Sequence, residues 1–209
     1  MDKHILVFCA HSDDEAVGMG GTIAKYIKEG KKVVKIVFSY GEKSHPHLHE
    51  FFVARDRIQE TREASEFFGI EQTTFIGLSD LSLKKTDDNT TFKIKKEINR
   101  LKPEKIFCPS ANDPHPDHRN VLRVVDEVLN GLKQDYELLT YEVWNVVDEN
   151  RPAFYIDISP YYKKKVEYMK KFKSQWLYMY FLLPIVHFRC RRYGRIIGKK
   201  FAEKFYKIR

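Results

Sequence analysis

The apolar segment Ile5-Leu6-Val7-Phe8-Cys9 runs directly into Ala10-His11-Ser12-Asp13-Asp14-Glu15. Five consecutive apolar residues suit a strand buried on both faces of a sheet. The next six place an imidazole and two adjacent carboxylates where that strand would leave the sheet. In open α/β sheets, such strand ends are where ligands bind. A second junction of this kind lies far down the chain, where Ile106-Phe107-Cys108 precedes His115-Pro116-Asp117-His118. Two His/Asp clusters, each after a strand-like run, predict one metal site assembled from two loops.

The rest of the chain alternates in the same way. Strands are expected at 4–10, 32–39, 73–76, 105–108, 138–143 and 153–158, and helices at 18–30, 50–68, 92–101, 118–132 and about 160–174. This order predicts an α/β, Rossmann-like fold with a mostly parallel sheet and helices on both faces. Asp87-Asp88-Asn89 is expected to be an exposed turn. Residues 175–209 carry mixed signals and support no assignment.

At 209 residues, one domain is the default. Cys9 and Cys108 lie within apolar runs, and the third cysteine, Cys190, has no CxxC partner. Buried small hydrophobes in a reducing compartment are expected, not a disulfide framework. Met1-Asp2-Lys3-His4 leads straight into a strand, so no secretory leader is expected and the cytoplasm is the expected location.

The charge is uneven. Residues 189–209 hold nine Lys/Arg against one acid, Glu203, which equals the whole net charge of +8. A solvated helix face is the ordinary reading of such a run. The functional alternatives are contact with an anionic membrane surface, peripheral at its inner face, or with an anionic glycan carrier. Trp176 to Phe188 is apolar but short for a bilayer span and contains Pro184. It suits a core helix, a substrate wall or an interfacial patch.

His11 and Asp14 with the distant His118 make a common three-ligand set for catalytic zinc, with a position left for water. Another divalent transition metal is the alternative. Asp13 would point elsewhere and serve as a base. The competing reading is that 11–15 only caps a helix, since acids favour helix N-termini. Capping does not explain His115 and His118 together. Asp117 is expected to orient a neighbouring imidazole. Gly18-Met19-Gly20-Gly21 has a phosphate-loop look without the required spacing or lysine, and tight packing is expected there. His45, His47 and His49 are expected on a polar rim loop.

These residues resemble the PIG-L / LmbE-like deacetylase family. Ala10 to Glu15 matches its A-H-P-D-D-E motif with Ser12 for Pro, and His115 to His118 matches H-P-D-H. Arg57, Glu60, Ala64 and Gly69 match a third pattern, and Asp80, Asp157 and Lys173-Ser174-Gln175 look familiar. The resemblance covers about 4–175, so a deacetylase domain is expected over 1–175. An apolar, then basic, segment at 176–209 is expected to pack on it. The resemblance implies a Rossmann-like fold and zinc-dependent removal of acetyl from an N-acetylated amino sugar or glycoconjugate. By position it implies metal ligands His11, Asp14 and His118. It implies Asp13 as general base. His115, supported by Asp117, would stabilise the oxyanion or protonate the amine. Arg57 and Asp80 would contact substrate.

Two other functions compete. One is hydrolysis of a different amide or ester at the same site. The other is a nucleotide- or nucleic-acid-binding module using the basic tail. Confinement of the charge to the tail, and the unexplained His/Asp clusters, count against a nucleic-acid partner. The sequence leaves the oligomeric state open.

Overall fold

A computed structural model describes residues 3–42, 49–79 and 87–209. Seven strands form one sheet: β1 (His4–Cys9), β2 (Lys32–Ser39), β3 (Gln72–Leu78), β4 (Lys105–Pro109), β5 (Glu137–Tyr141), β6 (Ala153–Asp157) and β7 (Ala202–Lys207). Their order is β3-β2-β1-β4-β5-β7-β6. The first five are parallel, and β7 runs antiparallel to both its neighbours. The helices are α1 (Asp14–Lys28), α2 (Glu50–Phe68), α3 (Asp88–Leu101), α4 (Pro116–Asn130), α5 (Tyr162–Met169) and α6 (Trp176–Ile196).

Alternate residues of β1 face opposite ways, so Ile5, Val7 and Cys9 join one core and Leu6 and Phe8 the other. The first core lies under α1, α5 and α6, the second under α3 and α4. Burying both faces of the sheet explains the near-continuous apolar runs. Strand order reverses between β1 and β4, and the loops after these two strands meet at that switch point.

Three elements differ from the sequence reading. Helix α1 starts at Asp14, not Gly18, directly from the His/Asp motif. The glycines lie inside it because neighbours press on them. A Cβ on Gly18 would meet Tyr141 Cδ2 at 2.4 Å and the Glu142 carbonyl at 2.5 Å, and one on Gly21 would meet Ile158 at 2.7 Å. Helix α3 starts at Asp88, not Phe92, because the Asp87 side chain accepts from Thr90 N–H at 2.8 Å. The proposed turn is therefore a helix cap.

The basic tail is not a solvated helix. Residues 202–207 form β7, inserted between β5 and β6. Arg189, Glu203 and Lys204 are buried and paired, while Lys207 on β7 and Arg192 and Arg195 on α6 stay exposed. Glu203 accepts from Gly21 N–H (3.0 Å), Thr22 N–H (2.7 Å) and Lys165 Nζ (2.6 Å). Lys204 Nζ pairs with Glu142 at 2.5 Å. Arg189 donates to the carbonyls of Val143 and Val17. The amides of the glycine cluster thus bind a carboxylate of the protein itself, which accounts for the phosphate-loop look.

Candidate metal centre

The loop after β1 closes around one carboxylate. Ala10 N–H and His11 N–H both donate to Asp14 Oδ2, at 2.8 and 2.9 Å. That leaves Asp14 Oδ1 facing His118 Nε2 at 3.2 Å and His11 Nδ1 at 3.8 Å. The loop is held from beneath by Lys35 in β2, whose ammonium donates to Glu15 Oε1 (2.7 Å) and the Ser12 carbonyl (3.3 Å). Tyr168 Oη donates to the same Glu15 oxygen at 2.5 Å. Lys35, Glu15 and Tyr168 are fully buried. This pairing satisfies a charge that burial alone would make very costly.

The loop after β4 supplies the second half. Asp113 Oδ1 accepts from His115 N–H at 2.8 Å and lies 3.0 Å from His118 Nδ1. His115 is the N-cap of α4, its Nδ1 accepting from Asp117 N–H at 3.2 Å, and Pro116 opens the helix. The fold therefore brings His11, Asp14, His115 and His118 together. The three imidazoles each offer a nitrogen, all within 4.8 Å of one another.

Several atoms here fit a cation. Both ring nitrogens of the buried His118 lack a partner of hydrogen-bond geometry, as does Asp113 Oδ2. Native structures rarely leave such groups buried. Bonds of about 2.0–2.1 Å to a tetrahedral zinc would set neighbouring donors about 3.3 Å apart. The Asp14–His118 spacing of 3.2 Å matches. Asp113, 3.0 Å from His118 Nδ1, would then be the carboxylate that orients the imidazole were it to hold a metal.

Electrostatics point the same way. Burial pushes the Asp14 carboxyl up, but the imidazoles of His118 and His11 outweigh it and hold it well below the usual carboxylate range. Burial pushes His118 down, yet Asp14 and Asp113 raise it to about 9. Burial, with the charges of His118 and His11, lowers His115. A neutral His115 whose Nδ1 accepts a hydrogen bond carries its proton on Nε2.

Asp13 caps α1 by position, but its side chain makes no cap hydrogen bond. Its Oδ1 instead lies 3.8 Å from Arg57 Nη2. Both line a pocket of about 190 Å³ with His11, Asp14 and His115. Asp117, expected beside His115, gives that ring its backbone N–H, while its carboxylate Oδ2 lies 3.6 Å from His11 Nε2. Asp80 lies outside the described residues, as do His45 and His47; His49 is the N-cap of α2.

The sequence reading missed Asp113, although an Asp two residues before a cluster His is a turn signal. It also missed Val143 and Trp144, which line the pocket with Gln175, Tyr178 and Leu182; a substrate wall is one of the readings of 176–188. Gln175 is placed by Glu60, which accepts from Ser174 N–H (2.8 Å) and Oγ (2.5 Å). Arg57 lines the cavity and Glu60, one turn on in α2, holds Ser174 next to the lining residue Gln175.

A mostly parallel sheet with a His/Asp pocket at its switch point defines a Rossmann-like class of α/β protein with a candidate metal site. Within that class, the family model described as PIG-L: GlcNAc-PI de-N-acetylase matches residues 6–129, and the chain belongs to this family. A probable N-acetyl-alpha-D-glucosaminyl L-malate deacetylase 2 of Bacillus cereus is 29% identical, over 73% of this chain and 72% of its own. Diacetylchitobiose deacetylase of Thermococcus kodakarensis is 23% identical over 96% of this chain and 81% of that one. Among solved structures, the 4-carboxy-2-hydroxymuconate hydratase of Pseudomonas putida KT2440 superposes with a TM-score of 0.85 at 21% identity. That match covers 99% of this chain and 96% of the hydratase, and shows a shared fold.

Proposed function

We propose that this chain is a metal-dependent hydrolase that removes acetyl from an N-acetylated amino sugar or glycoconjugate, with zinc as the metal. The observation that carries the reading is the meeting of His11, Asp14 and His118 beside Asp13, where His11, Asp13 and Asp14 line a pocket of about 190 Å³. His11, Asp14 and His118 would hold the metal. Bound there, a divalent cation supplies Lewis acidity toward an amide carbonyl.

The remaining steps fall to side chains. Asp13 faces the pocket without a capping bond to satisfy it, which suits a base that takes a proton from water. The Arg57 guanidinium, 3.8 Å from Asp13 Oδ1, helps to aim that carboxylate. His115 presents Nε2–H to the pocket, where it can donate to the developing oxyanion. An amine leaves poorly unless protonated, so the proton taken by Asp13 must reach the nitrogen. Asp117 steadies His11 and, through its backbone, His115. Arg57 and Asp80 are proposed to contact the sugar. Three buried, free cysteines support a reducing, cytoplasmic setting.

Product analysis tests this reading. Equimolar acetate and new primary amine from an N-acetylhexosamine derivative support it. Water addition to an unsaturated carboxylate, without acetate, would instead align the chain with the hydratase of the same fold.

A further inference from the structure

Helix α6 is apolar on two opposite sides. Inward, Met179, Val186 and Cys190 are buried in the core. Outward, Leu177, Tyr178, Phe181, Ile185 and Phe188 recur at helical spacing and are 50–71% exposed. A surface helix ordinarily turns polar residues to that side. Contiguous exposed apolar area of this kind marks a contact surface. The same stripe runs on into Arg192 and Arg195, both exposed. Residues 170–200 contain nine Lys/Arg and no Asp/Glu. At the other end of the stripe, Tyr178 lines the pocket beside the His/Asp cluster.

We propose that the outer face of α6 docks the protein onto an anionic lipid bilayer, with the pocket mouth held at the membrane surface. Charge complementarity decides the occupant. A second copy docking through the same face would bring arginine and lysine against their own kind, with no acid nearby in the segment. Anionic headgroups neutralise them. Tyrosine at the rim of the stripe suits the boundary between headgroup and acyl chain. Among the described residues, no helix is long and apolar enough to cross a membrane, so the contact is peripheral.

The test is flotation of the full chain with phosphatidylcholine vesicles, with and without phosphatidylglycerol. The wild type should float with the anionic vesicles only, and less at high salt. Removing one basic side chain from the lipid surface should lower partitioning about fivefold, so Arg192→Glu/Arg195→Glu should lower it about 25-fold or more. Phe181→Ser/Phe188→Ser should abolish it. Both double variants should keep the wild-type unfolding midpoint and the wild-type turnover of a water-soluble N-acetylglucosamine derivative. No flotation of the wild type would overturn the proposal, and so would stripe variants that float like it. Light scattering that shows a dimer dissolved by Phe181→Ser/Phe188→Ser, without vesicle binding, would assign the face to a second copy instead. Failure of the deacetylase reading would appear only in the turnover measurement, which vesicle binding does not use.

Discussion

Asp14 Oδ1 lies 3.2 Å from His118 Nε2, and neither side chain is more than 2% exposed. One residue follows β1 and the other lies in the first turn of α4, so their meeting is a property of the fold. Hydrogen bonds to the other oxygen of Asp14 fix the direction of the first. Elemental analysis should find one divalent metal per wild-type chain. His118→Ala should lose it, as should Asp14→Ala. Stoichiometric metal in His118→Ala would remove that imidazole from the ligand set.

Asp13 is separated from metal binding by its geometry. Its Oδ1 lies 3.8 Å from Arg57 Nη2, and it lines the pocket beside His11 and His115. Asp13→Asn should keep the metal and the fold but lose turnover by about 10²–10⁴-fold, the usual contribution of a general base. Wild-type turnover in this variant would mean that another group accepts the proton from water.

His115 shares the cluster with His11 and His118, so ligation and catalysis must be told apart directly. As a donor to an oxyanion, it should cost about 10²–10³-fold in kcat when replaced by alanine, with metal content unchanged. Loss of metal in His115→Ala would make it a ligand and require Asp14 or His11 to be reassigned.

The glycines of α1 should be intolerant for steric reasons. A Cβ on Gly21 would sit 2.7–2.9 Å from three atoms of Ile158. Overpacking of this kind costs about 1–3 kcal/mol. Gly21→Ala should therefore lower Tm by roughly 2–12 °C for a chain of this size. Thermal unfolding checks this; an unchanged midpoint would mean that β6 and its following loop yield freely.

Much of the fold was legible because a sheet buried on both faces writes continuous apolar runs, as at β1 and β2. The central His/Asp motifs were legible because each follows such a run, the first directly and the second after a short loop. What escaped depends on partners distant in sequence. Lys35 looks like an exposed alternation residue in Val34-Lys35-Ile36, yet it is fully buried because Glu15 and Tyr168 close around it. Glu203 and Lys204 belong to a basic tail in sequence but to the sheet interior in space, since β7 enters between two earlier strands. The pocket wall from Trp144 and Tyr178 comes from segments with no motif. Only the fold brings them to the imidazoles.

The central claim is hydrolysis of an acetamide at the His11, Asp14 and His118 site. Its most direct test is acetate and primary amine measured together, with zinc-loaded protein and a panel of N-acetylhexosamine derivatives. Equimolar release from at least one derivative is expected, abolished by chelation and restored by zinc. Absence of acetate across the panel from fully metal-loaded protein, or undiminished release after complete chelation, would contradict it.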